Sequence, residues 1–199
     1  MSSEFFDVAA RQRACRNYAD EPVSDGELAT MLHAATRAPS AENSQPWEWI
    51  VVRDAESRAA IGALTERAWE SGGELHAEHR LDPVLLRDVE AGARGGVSGA
   101  PVLVVACVDL ERGLEQTIGS SIFPAVQNLL LAATALGLGS ALTTIATVYE
   151  SELQQLLGLP DHVRPVAILP IGRPGRPLGA PRREPFAEHA HRDRYGSHW

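Results

Sequence analysis

At 199 residues the chain is long enough for one domain with a substantial core, or for half of an interlocked dimer. Hydrophobic residues make up 44% and charged residues 22%, which excludes global disorder. The formal charge of -8 supplies no general attraction for nucleic acid or an anionic membrane.

A first helix is expected from about Ser3 to Arg13, followed by a short segment around Arg16 to Tyr18. Ser24 and Glu27 then form a capping box ahead of an apolar stripe, Leu28, Met31, Leu32 and Ala35. That helix should stop at Ala38, because Pro39 disfavours helical geometry in the residue before it. Trp47 to Val52 reads as a strand, and Asp54 caps a helix reaching about Trp69. Ser71 to Gly99 is Gly-rich, charged and weakly periodic, and could be a mobile lid.

Val102 to Val108 is a continuous, largely β-branched apolar run, the pattern of a buried strand. Phe123 to Leu136 is apolar nearly all round, which implies a helix buried on several faces, ended by Gly137 and Gly139. Its longest apolar stretch, Leu129 to Leu138, is too short to span a bilayer. Ala141 to Ile145 could be a strand. Thr147 with Glu150 makes a second capping box, for a helix ended by Gly158 and Pro160, and Val166 to Ile171 is the last core strand. Beyond Gly172, Pro174, Pro177, Pro181 and Pro185 with interspersed Arg imply an extended tail that would wrap over a partner subunit. Helices with only about four strands indicate an α+β class and a single domain over residues 1–199.

The 18 basic residues are all Arg, so any cationic role falls to a guanidinium. Cys15 and Cys107 are far apart and read as reduced structural thiols of a cytoplasmic protein, and no signal peptide is apparent. There is no Gly-x-Gly-x-x-Gly after the first strand, no Walker loop, no His-Glu-x-x-His and no Cys-x-x-Cys. His76 with His79, and His189 with His191, have metal-compatible spacing but no evident third ligand, so they read as solvated histidines and no metal site is assigned.

Three constellations remain. Residues 13 to 18 read Arg-Ala-Cys-Arg-Asn-Tyr, followed by Glu21-Pro22-Val23. Residues 38 to 47 read Ala-Pro-Ser-Ala-Glu-Asn-Ser-Gln-Pro-Trp. The third runs from Gln127-Asn128-Leu129 to Gly137-Leu138-Gly139-Ser140. In this order and spacing they resemble the nitroreductase superfamily over nearly the whole chain.

The resemblance implies a nitroreductase-like fold with a central mixed or antiparallel sheet flanked by helices. It also implies an interlocked homodimer with FMN held between subunits. The chemistry suits the residues, since a phosphate in an acidic protein needs a local basic pocket and forked guanidinium groups provide one. By resemblance, Gln12, Arg13, Ala14 and Arg16 surround the phosphate and ribityl chain, and Arg16 reaches the N1/O2 edge of the flavin. Arg13 and Arg16 could otherwise be solvated helix-end charges. Pro39 and Ser40 would lie against the isoalloxazine of the other subunit. Asn43 and Gln45 could equally be structural, and Trp47 and Trp49 read as packing groups.

Leu142, Thr143 and Thr144 would cross the flavin, with a backbone N–H near Thr144 at N5. Arg183, with Arg182 in reserve, matches a basic C-terminal phosphate motif. There are departures: Gln12 and Ala14 stand where the family often has Arg and Ser, and Pro181 replaces a Lys, which leaves Arg182 or Arg94 to compensate. The implied activity is hydride transfer from NADPH or NADH through FMN to a nitroaromatic, quinone or similar small acceptor in ping-pong order, with no side-chain acid or base. Substrate choice would lie in Ser71 to Gly99 and around Ile118 to Phe123. Flavin-dependent dehydrogenation, oxidation or dehalogenation, and non-catalytic flavin storage, are the alternatives.

Overall fold

A computed structural model describes residues 4–199. The elements are α1 (Glu4–Arg11), α2 (Asp25–Ala35), β1 (Trp47–Val52), α3 (Ala55–Ala68), α4 (Glu74–Glu78), α5 (Pro83–Ala91), β2 (Val102–Asp109), α6 (Ile118–Ala135), β3 (Gly139–Ser140), α7 (Glu150–Leu157) and β4 (Val163–Gly172). Four strands form one antiparallel sheet in the order β1-β2-β4-β3. Trp47 faces Val108 across the first pair, and Val102 faces Ile171 across the second. The β2–β4 register shifts between Ala106 and Cys107, and Pro165 sits at that irregularity, where its missing N–H is tolerated.

Strand β2 is buried on both faces, and its period-2 alternation divides the core. Val102, Val104, Ala106 and Val108 pack with α2 and α6, while Leu103, Val105 and Cys107 pack with α3 and α7. The buried helix α6 begins at Ile118, five residues before its apolar run does in the sequence reading, and buries Ile122, Ala125, Val126, Leu129 and Ala133. With the turn before it, Glu115–Ala135 is 21 residues long, which by length and composition alone would suit a membrane span. Its packing between α2 and the sheet identifies it as the core helix of this domain.

The Ser24–Glu27 capping box and the Asp54 cap are both formed. Other boundaries differ from the sequence reading. Helix α2 ends at Ala35 and a turn carries the chain to Ala38. Helix α1 ends at Arg11; Ser3 lies outside the described residues. Gly137 has the positive φ of 74° expected of a helix stop, but Gly139 belongs to β3. A Cβ on Gly139 would sit 2.6 Å from Cys15 Sγ, so close approach is what requires glycine there.

Ala141 to Ile145 is not a strand: only Thr143 forms a bridge, to Ile168, and the following residues turn into a 3₁₀ helix at Ile145–Tyr149. The capping box at Thr147 and Glu150 does not form either. Thr147 Oγ1 donates back to the Thr144 carbonyl at 2.7 Å, and α7 starts at Glu150 without a side-chain cap. The Gly-rich stretch is helical, with α4 and α5 joined to their neighbours by π-helical turns at Trp69–Gly73 and Gly92–Gly96.

Candidate functional site

The segment after α1 is held on both sides. Cys15 N donates to Ser140 O at 2.8 Å, with Ala14 bridged in parallel to Ser140. On the other flank Gly175 N donates to Asn17 O at 3.0 Å and Ala19 N to Arg173 O at 3.0 Å. The buried Tyr18 hydroxyl donates to the Cys15 carbonyl at 2.6 Å. Burial holds the Tyr18 and Cys15 pKa values above their ordinary ranges, so both stay protonated at neutral pH.

This anchoring presents Arg16. Its side chain is half-buried, and among the described residues it makes no hydrogen bond or ion pair. Desolvation pulls the guanidinium pKa below its usual value, and the nearby Asp88 carboxylate partly opposes that. The side chain lies across the turn Gly92–Gly96. A Cβ on Gly92 would sit 2.7 Å from Arg16 Cδ, and one on Gly96 would sit 2.6 Å from the Arg16 carbonyl oxygen. Glycine at both places is a condition of the contact.

Arg16 and Gly96 stand between two cavities. The first, about 230 Å³, is mostly apolar and lined by Ala93, Val97, Leu142, Thr143 and Thr144 among others. The second, about 650 Å³, holds the guanidinium groups of Arg13, Arg16 and Arg176 against one carboxylate, Asp88. It is a locally positive chamber in an acidic protein. In the segment crossing the first cavity, the amides of Ala141, Thr143 and Ile145 donate to Pro170 O, Ile168 O and Thr143 Oγ1. The alternating amides of Leu142 and Thr144 have no acceptor among the described residues. An unpaired cation and two unused N–H donors border one cavity, an arrangement suited to a planar, acceptor-rich ligand with an anionic tail.

The other residues singled out from sequence are distributed as follows. Arg13 lines the positive cavity and donates to the Gly179 carbonyl at 3.0 Å, and Ala14 lines the same cavity. Gln12 lines neither cavity; its amide continues α1 by donating to Val8 O at 3.0 Å. Arg182 and Arg183 are exposed on the tail, with Arg183 Nη1 on the Arg182 carbonyl at 2.8 Å.

Pro39, Ser40 and Asn43 do not reach either cavity within this chain. Their loop packs on the start of α6, where Ala41 N donates to Ser121 Oγ at 3.1 Å. Ser40 Oγ accepts from Gln45 N at 3.0 Å and closes the loop. Glu42, Asn43 and Gln45 all have positive φ, at 55°, 54° and 48°. Three non-glycine residues in the left-handed region make this a strained turn, costing roughly 1–3 kcal/mol each.

Arg94 is not available to a phosphate. Its guanidinium is enclosed by Glu70 at 2.9 Å, Glu90 at 3.0 Å, Glu74 at 3.4 Å and Glu66 at 3.7 Å. Residues absent from the sequence reading of the site include Gly92, Gly96, Asp88 and Arg176. The two glycines share a helical face at spacing four, which is a readable signal once the segment is taken as helix rather than lid. Arg176, ion-paired to Asp88 at 3.0 Å, carried no signal beyond its charge.

A sequence profile of the Nitroreductase family matches residues 9–173. A protein of Thermus thermophilus named NADH dehydrogenase is 31% identical over 183 residues, covering 84% of this chain and 85% of its own length. The Bacillus subtilis protein named FMN reductase [NAD(P)H] is 28% identical over 181 residues, covering 81% of this chain and 62% of its own length. Among solved structures, B. megaterium NfrA2 superposes with a TM-score of 0.80 at 24% identity, covering 98% of this chain and 76% of that one. The profile spans most of the chain, the relative at 31% identity covers more than four fifths of it, and the fold agrees: the chain belongs to the nitroreductase family.

Proposed function

We propose that the protein is an FMN-dependent oxidoreductase that takes electrons from NADH or NADPH and passes them to a small acceptor such as a quinone or nitroaromatic. The observation that carries this reading is the half-buried Arg16 guanidinium, which has no partner among the described residues and stands between the apolar and the positive cavity. A desolvated cation without an anion is unfavourable unless a ligand completes it. The relatives named NADH dehydrogenase and FMN reductase [NAD(P)H] support the same chemistry.

FMN, when bound, supplies reversible two-electron transfer between donor and acceptor. The chain's own groups hold and polarise it. Arg16 would hold the flavin edge that gains negative charge on reduction, and a fixed cation there would favour the reduced state. The free amides of Leu142 and Thr144 would donate to ring acceptors, and Leu142 and Val97 would supply apolar walls. Arg13 and Arg176 set a positive potential for the phosphate, with Arg182 and Arg183 on the adjoining tail. Pro39, Ser40 and Asn43, which reach neither cavity within this chain, would help hold the flavin of a second copy in a homodimer. No side-chain acid or base is needed.

The test is the visible spectrum of the purified protein before and after anaerobic addition of NADH or NADPH. Flavin bands that bleach, and return on adding a quinone, support the reading. A colourless protein that does not take up FMN, or bands that neither donor bleaches, would overturn it.

A further inference from the structure

We propose that Arg94 is a positioning residue for Arg16, acting through the backbone of the Gly92–Gly96 turn. This rests on the FMN reading above, since it concerns how the cavity wall holds a group that would touch the cofactor.

The argument begins from charge. Arg94 lies in the middle of the turn and its guanidinium meets four glutamates drawn from successive elements: Glu66 on α3, Glu70 in the Trp69–Gly73 turn, Glu74 on α4 and Glu90 on α5. Isolated exposed ion pairs contribute little, but a planar fork engaged on several sides constrains orientation as well as distance. Without Arg94, four carboxylates would face one another across three helices and repel.

The turn that Arg94 pins is a π-helical insertion, a geometry that departs from the regular ladder and often marks functional sites. Its first and last residues, Gly92 and Gly96, are those in closest approach to the Arg16 side chain and carbonyl. Gly92, Ala93, Gly96 and Val97 also wall the apolar cavity, and Gly95 and Gly96 wall the positive one. A glycine-rich turn has little intrinsic stiffness. The carboxylate cage supplies that stiffness from outside, so the Arg16 guanidinium is pressed into one orientation by a neighbour that touches no ligand.

A double-mutant cycle tests this. The dissociation constant for FMN is measured by quenching of flavin fluorescence on the full chain, for the wild type, Arg94→Ala, Arg16→Ala and the double variant. If Arg94 acts through Arg16, Arg94→Ala weakens FMN binding about tenfold in the wild type and less than about twofold once Arg16 is gone. Arg94→Lys keeps the charge without the fork, should fall between, and carries the test if Arg94→Ala does not fold. An equal loss in both backgrounds, or no loss while Arg16 is present, would overturn the inference and leave the FMN reading standing. Failure of the wild type to bind FMN at all would overturn both.

Discussion

Arg94 lies within the five-residue turn Gly92–Gly96 and is exposed, while Arg16 lies against the same turn and is half-buried. One is ion-paired to four carboxylates, whereas the other is ion-paired to none among the described residues and feels only the field of nearby Asp88. Their pKa values move in opposite directions for that reason. Hydrogen bonds to Glu70 and Glu90 raise that of Arg94, while desolvation lowers that of Arg16. A cation saturated by its own chain serves the fold, and a cation left unsaturated beside a cavity is held for something else. Residue type does not distinguish them; the partners do.

The comparison can be broken in several places, in falling order of expected effect. Arg16→Ala should raise the FMN dissociation constant by roughly ten- to a hundredfold, the range for losing hydrogen bonds to a charged group. Titration by fluorescence quenching reads it, and an unchanged constant would remove Arg16 from the site. Gly96→Ala places a methyl 2.6 Å from the Arg16 carbonyl oxygen, a backbone atom that cannot step aside. It should lower unfolding stability by about 1–3 kcal/mol in a urea titration and weaken FMN binding at the same time. Stability lost with full affinity retained would mean that the turn does not govern Arg16.

Burial acts on the thiols with the opposite sign to its action on Arg16. Cys107, enclosed in the sheet, is pushed up to about 12 from 9.0 in the unfolded chain. A folded pKa above the unfolded one means that the contribution is fully present below pH 9 and is lost as pH rises toward 12. The unfolding free energy from urea titration should therefore drop by on the order of 1–2 kcal/mol as pH rises from ~8 to ~10.5, and drop less in Cys107→Ala. The smallest effect belongs to an exposed pair far from the turn. Arg112 meets Glu48 at 3.3 Å on the β1–β2 side, so Arg112→Ala should change stability by less than about 1 kcal/mol and leave FMN affinity unchanged.

The sheet strands β1, β2 and β4, the buried helix and the caps at Ser24 and Asp54 were legible because each rests on local chemistry: alternation, β-branching, or a short polar side chain before an apolar stripe. The segment 141–145 was misread as a strand because its apolar, β-branched composition is that of a strand. Its backbone instead pairs only at Thr143, and leaves the intervening amides to the cavity. Such donors have no side-chain signature. The same holds for Gly92 and Gly96, whose role depends on what approaches them from residue 16, far away in sequence. In the sequence Arg94 looks free to stand in at a phosphate, because its four glutamates are spread over residues 66 to 90 and converge only when the helices fold.

The most direct test of the central claim is a crystal structure of the full chain grown with FMN. The account predicts the flavin ring beside Leu142, Thr143 and Thr144, with the Arg16 guanidinium at its edge and the phosphate toward Arg13 and Arg176. FMN bound elsewhere, or an Arg16 side chain that makes no contact with it, would contradict the account.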